Sequence, residues 1–233
     1  MSEIGIIQPG RLGDIIICLP IAKHYYDLGY KVIWPVFAKY CKDVQSVVDY
    51  VKFIPVTDNV YHCVDEARGV LSCYNDITIF DIAATFPGSD CTEEYVSLGD
   101  GFGDEAFDQF KYRKCGVPFE KKWCLDIQRS AQEEEIVYST YVKDDKYNVA
   151  GLSHSKGSVA IKIESNNPTI HVNENHNFFS WIKVLENANN IVLVDSAMSN
   201  LVEQLNLANK KTLITKPRQP LPVYKNNWNI HTV

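Results

Sequence analysis

No stretch of this chain is apolar for long enough to cross a bilayer, and no basic segment followed by an apolar one opens it. The expected setting is the cytoplasm, without a transmembrane segment. Positive charge is not in excess either. Lys and Arg number 23 against 29 Asp and Glu, a formal charge of −6, whereas proteins that hold nucleic acid or anionic membranes concentrate Lys and Arg. Nucleic acid is therefore not an expected partner. The seven cysteines, at 18, 41, 63, 73, 91, 115 and 124, are odd in number, widely spaced and without C-x-x-C, which favours free buried thiols over a zinc site or a disulfide framework. The histidines form no H-E-x-x-H pattern. The acidic residues between 83 and 103, with Asp104 just beyond, lack the compact spacing of a calcium loop and read as solvated charge, so neither a metal nor a cofactor is expected. Missing as well are G-x-G-x-x-G and G-x-x-x-x-G-K-[ST], and with them the support for a dinucleotide fingerprint or a phosphate-loop nucleotidase.

What is present is ordinary core material, 45% apolar against 22% charged over 233 residues, arranged as alternating strand and helix patterns. Ile4, Ile6 and Ile7 form a short apolar run, Pro9-Gly10 breaks it, and Ile15, Leu19, Ala22 and Tyr26 recur at helical spacing up to Leu28-Gly29. Strands are expected at 30–36, 51–56 and 76–81, with Pro55 keeping the second of these near an end or an edge, and helices at 38–49 and 61–73. Four alternations in the first eighty or so residues mean a doubly wound sheet. A helix at 104–115 carries Phe107, Phe110 and Tyr112 as core residues, and Trp123 reads as an apolar anchor.

Residues 126–146 form a polar seam, and the strand pattern restarts at Tyr147. The second half is expected to hold strands at 147–153, 158–163, 169–172, 190–194 and 211–215, helices at 178–188 and 197–207, and a terminal segment at 229–233. The domains are accordingly 1–140 and 141–233.

Three turns carry candidate chemistry. Gly13 and Asp14 stand at the mouth of the first helix, beyond the carboxyl end of the first strand, where open parallel sheets bind ligands. Asp14 is either a helix cap or a carboxylate aimed into a cleft, and Arg11 faces solvent unless something anionic enters. In the second half, the strand Ile191–Val194 delivers Asp195-Ser196 straight into a helix that also carries Ser199 and Asn200. That turn is an N-cap, or a place where hydroxyls and free backbone N–H groups hold phosphate. His154, Ser155 and Lys156 follow the first strand of the second half and offer two hydrogen-bonding groups and an ammonium, or simply a surface turn.

The segment Gly10–Pro20, with Gly13-Asp14 at its centre, resembles the amino-terminal motif of the heptosyltransferase-like glycosyltransferases. The segment Val192–Asn200, followed by Leu201, Leu205 and Leu207, is similar to their carboxy-terminal strand, Asp-Ser turn and donor-binding helix. The resemblance implies an α/β protein of GT-B-like architecture, two facing Rossmann-like domains with parallel sheets. The first domain would take a glycan or other hydroxyl acceptor and the second a nucleotide-diphospho-sugar donor, with no metal. It further implies Asp14 as the base on the acceptor hydroxyl, Arg11 and Gly13 in the same loop, Asp195 and Ser196 at the donor diphosphate, and His154, Ser155 and Lys156 as donor contacts. Ala197 stands where the family usually has glycine and Ser199 where it has histidine, and the chain is shorter than is usual, so sugar and nucleotide identity do not carry over. Two other readings stay open, a nucleotide-sugar epimerase-like enzyme and a nucleotide- or carbohydrate-binding relative without turnover.

Overall fold

The computed structural model describes residues 2–97, 105–154, 157–161, 163, 165–217 and 219–233. They divide into two compact units, Met1–Gln128 with Pro220–Val223, and Arg129–Gln219 with Tyr224–Val233.

The first unit opens with β1 (Glu3–Ile7), α1 (Leu12–Asp27), β2 (Lys31–Phe37), α2 (Ala38–Gln45), β3 (Val51–Val56), α3 (Cys63–Leu71) and β4 (Ile77–Asp81). Its sheet is parallel throughout, in the order β3-β2-β1-β4. Helices on both faces explain why β1 and β2 are nearly continuous apolar runs rather than alternating ones. On one face Ile7, Ile33 and Phe37 pack against Val64, Ala67 and Leu71 of α3 and against Phe86. Gly5 lets α3 come close, since a Cβ there would meet Leu71 at 2.8 Å.

Both strand prolines sit where a missing donor does least harm. Pro55 lies on the edge strand β3. Pro35 lies in β2 beyond Gly5↔Ile33, the last pair of the β1–β2 register, and the N–H of Phe37, on the same edge, donates to the Pro9 carbonyl at 2.7 Å.

Two short helices, α4 (Thr92–Ser97) and α5 (Phe107–Lys114), and a 3₁₀ turn over Phe119–Trp123 complete this unit. Phe110 and Tyr112 are core residues of α5 as expected, while Phe107 is half-buried. Trp123 is not the anchor. It is half-buried, and its neighbour Lys122 is fully buried because Asp108 on α5 accepts from its ammonium at 2.6 Å and the Val223 carbonyl at 2.6 Å.

The second unit begins with α6 (Ala131–Tyr141), so the division falls between Gln128 and Arg129 rather than after residue 140. The cause is charge pairing across α6: Arg129 grips Glu134 of α6 and Glu186 through hydrogen bonds of 2.6–2.7 Å, and Ser180 donates to Glu133 at 3.2 Å. There follow β5 (Asn148–Gly151), a two-residue hairpin of β6 (Ser153–His154) and β7 (Gly157–Ser158), β8 (Thr169–His171), a 3₁₀ turn Phe178–Trp181 running into α7 (Ile182–Glu186), β9 (Asn190–Val194), α8 (Ala197–Gln204), β10 (Lys210–Thr215) and β11 (Trp228–Thr232). The sheet is again parallel, in the order β11-β10-β9-β5-β8. Of the strand expected at 158–163, Ser158 lies in the hairpin arm Gly157–Ser158, which pairs antiparallel with β6, residues 159–161 and 163 are not strand, and residue 162 lies outside the described residues. Each unit is thus a Rossmann-like layer of helices on a parallel sheet. Among the described residues no helix is long and apolar enough to cross a membrane.

Candidate active site

In the first unit the site is built on the turn between β1 and α1. Gly10 is required there because the ring of Phe37 occupies the space a Cβ would need, at 2.3 Å. Arg11 follows in the left-handed region, φ 58° and ψ 107°, a conformation that costs a non-glycine residue about 1–3 kcal/mol and tends to gather at functional sites. Its guanidinium donates to the Thr85 hydroxyl at 3.3 Å and lies 5.2 Å from the centre of the Phe86 ring, exposed beside the loop that follows β4.

Arg11, not Asp14, is the N-cap of α1. The Arg11 carbonyl receives the amides of Asp14 and Ile15 at 2.9 and 3.1 Å, which places Gly13 and Asp14 at the second and third positions inside the helix. Of the two readings of Asp14, the cap is therefore excluded. Its carboxylate is 12% exposed and pairs at 3.5 Å with the ammonium of Lys111 on α5, itself 6% exposed. Lys111 also donates to the Gln8 side-chain oxygen and, at 2.9 Å, to the Ile82 carbonyl. Gln8 is in turn fixed, its amide donating to the Gly10 carbonyl at 3.1 Å and its own carbonyl accepting from the Trp34 indole at 3.1 Å. One turn further along α1, burial pushes the Cys18 thiol up to about 12, so it stays protonated beneath the pair.

Asp81, the last residue of β4, does not add a second carboxylate to this site, and Asp100 and Asp104 of the acidic stretch lie outside the described residues. Asp81 accepts from Arg68 at 2.9 Å, from the Ser89 hydroxyl at 2.6 Å and from the Asp90 amide at 2.9 Å, so it closes the loop on itself. Among the described residues no group of three or more His, Cys, Asp or Glu side chains is arranged to hold a metal ion.

In the second unit β9 leads through Asp195 into α8, with Ser196 as N-cap in extended backbone. The Asp195 carboxylate accepts from Tyr224 at 2.9 Å and from Gln219 at 3.0 Å. Ser199 is fully buried; its hydroxyl receives the Ser196 amide at 2.9 Å and shares a hydrogen bond with Tyr224 at 2.8 Å. Asn200 is buried too and donates to the Ser196 carbonyl at 2.9 Å. Ser199 and Asn200, expected as ligand contacts, instead brace the turn from inside. Half-buried Ser196 and the first-turn amides remain at the mouth of the helix, beside a shallow depression lined by Val194, Asp195, Thr215, Lys216 and Gln219. His154 lies in β6, and Ser155 and Lys156 lie outside the described residues.

Lys111, Gln8, Gln219 and Tyr224 escaped the sequence reading. Their partners are far away in the chain, and only a lysine lodged between the buried Phe110 and Tyr112 of one helix hinted at an inward charge.

No family model matches the sequence, and no curated protein does. Solved structures do match in fold. A family 9 glycosyltransferase from Veillonella parvula aligns over 100% of this chain and 86% of its own, at 8% identity and a TM-score of 0.62. The fold is that of the family 9 glycosyltransferases. The E. coli heptosyltransferase WaaC, solved with ADP, aligns over 99% and 91% at 14% identity and a TM-score of 0.52. The E. coli ADP-heptose lipopolysaccharide heptosyltransferase II aligns over 100% and 90% at 10% identity and 0.51. In this glycosyltransferase fold, the turns that carry Asp14 and Ser196 both lie at carboxyl ends of parallel strands, the usual ligand side of such sheets.

Proposed function

We propose that the chain is a metal-independent glycosyltransferase that moves a sugar from a nucleotide-diphospho-sugar to a hydroxyl acceptor, with inversion and with Asp14 as general base. The observation that carries this reading is the state of Asp14: a carboxylate at the carboxyl edge of the first sheet, little exposed, paired with a lysine and not engaged as a helix cap. The acceptor oxygen attacks the anomeric carbon, the bond from that carbon to the diphosphate breaks, and Asp14 takes the hydroxyl proton as the new bond forms. The departing nucleoside diphosphate carries negative charge, which suits the first-turn amides of α8 and the Ser196 hydroxyl. Lys216 at the same edge adds an exposed cation, and from the resemblance His154, Ser155 and Lys156 add further donor contacts.

A second reading has its own support. Asp195, Ser199 and Asn200 are braced against Tyr224, Gln219 and Ser196, which suits a turn built for rigidity and is compatible with a nucleotide-binding relative that performs no transfer.

The two part in one experiment. The protein is incubated in EDTA with ADP-, GDP- and UDP-sugars and a mixture of glycan acceptors, and released nucleoside diphosphate and glycosylated product are followed by chromatography and mass spectrometry. The transferase reading expects release coupled to product for at least one donor. Nucleotide binding without release supports the second reading, and an isomerised donor formed without any acceptor supports an epimerase.

A further inference from the structure

We infer that Lys111 is the positioning residue for Asp14, holding one carboxylate oxygen so that the other faces the acceptor hydroxyl. The inference rests on Asp14 being the base. The Lys111 ammonium donates to the Gln8 side chain and to the Ile82 carbonyl at 2.9 Å, and it faces Asp14 Oδ1 as an ion pair at 3.5 Å. Two of these are nearly immovable. Ile82 follows β4 and its amide is tied to the Ile7 carbonyl at 3.1 Å, while Gln8 is held through Gly10 and Trp34. The ammonium is thereby anchored to the ends of β1 and β4 and is itself almost wholly buried, so it acts on the carboxylate and not on the acceptor.

Among the described residues Asp14 has no other side-chain anchor. Its amide is held by the Arg11 carbonyl, but α1 has no side-chain cap, and Lys111 is the charged partner of Asp14 among the described residues. The nearby Asp108 is already matched by Lys122 at 2.6 Å, and the Cys18 thiol is neutral. An ammonium fixed by two neutral oxygens keeps its place when Asp14 takes up a proton, so the base returns to the same geometry for the next cycle.

The test has an arm without substrate. In protein carrying carbon-13 at the aspartate carboxyls, the Asp14 resonance is assigned by its loss in Asp14→Asn. It is expected to move in Lys111→Met and to return towards its original position in Lys111→Arg; an unmoved resonance in Lys111→Met overturns the inference. In the kinetic arm, release of nucleoside diphosphate from ADP-glucose, GDP-mannose and UDP-glucose is measured. Lys111→Met is expected to lower kcat roughly 10- to 100-fold at unchanged donor KM, with partial recovery in Lys111→Arg. Added to Asp14→Asn it should bring no further loss, and a further loss in that background overturns the positioning role. A wild-type rate in Asp14→Asn overturns the base assignment and this role with it, whereas a moved resonance with a rate unchanged in Lys111→Met overturns this role alone.

Discussion

Asp14→Asn is expected to lower sugar transfer by roughly 10²–10⁴-fold while donor affinity stays at the wild-type value. Asparagine cannot accept the acceptor's proton, yet its amide oxygen can still face the Lys111 ammonium, so the pocket keeps its shape. Melting temperature is the control. Because Arg11 caps α1, replacing Asp14 removes no cap, and a loss of activity in a protein that melts normally cannot be assigned to a frayed helix. Asp14→Ala would be harder to interpret, since it strips a nearly buried lysine of its carboxylate partner. Transfer rate, donor Kd and melting temperature, measured on one preparation of Asp14→Asn, decide the matter. A wild-type transfer rate would remove Asp14 from catalysis.

The largest expected effect on stability lies elsewhere in the first unit. Asp108 and Lys122 form an ion pair at 2.6 Å with neither side chain exposed, and the segment Pro220–Val223 is hooked onto it: the Val223 amide donates to Asp108 at 3.0 Å and its carbonyl accepts from Lys122 at 2.6 Å. Removing one member leaves the other charge in a dry site. Asp108→Ala is therefore expected to destabilise the protein by about 3–5 kcal/mol in denaturant titration, and Asp108→Leu combined with Lys122→Met to recover much of that loss. A single change that lowers stability by less than about 1 kcal/mol, the range of an exposed pair, would show that water reaches this site.

What could be read from the sequence was what depends on near neighbours. The apolar runs of Ile4–Ile7 and Ile191–Val194 became parallel strands, the first buried along its length and the second with half-buried Val192 between buried Ile191 and Leu193, and of the end or edge that Pro55 marked the structure has the edge, where a missing donor is tolerated. The alternation of Val159, Ile161 and Ile163 looks like a strand equally well, but a strand exists only where a neighbour offers a ladder, and among the described residues the pairing with β6 covers Gly157–Ser158 and fades after the Val159 amide, which donates to the Leu152 carbonyl at 2.9 Å. At the first turn, aspartate before an apolar helix suggests a cap. The helix starts two residues earlier than Asp14, at Leu12, because Arg11 adopts the left-handed backbone that a cap position can accommodate.

The charged residues inside the fold were the least legible. Lys111, Asp108 and Lys122 have the local pattern of solvent-facing residues, and their burial follows from partners such as Gln8 and Val223 brought in by tertiary structure. Likewise Ser199 and Asn200 look like phosphate ligands in a Ser- and Asn-rich turn. Placed three and four residues after Ser196, they fold back onto it instead, as helical geometry at an N-terminus favours.

Calorimetric titration of the wild-type protein with ADP, GDP and UDP, each in EDTA, tests the central claim most directly. The account predicts that at least one of them binds without divalent metal and that Ser196→Ala weakens it by roughly 10- to 100-fold, the effect of one hydrogen bond to a charged group. Absence of binding by all three, or binding that requires an added divalent cation, would contradict it.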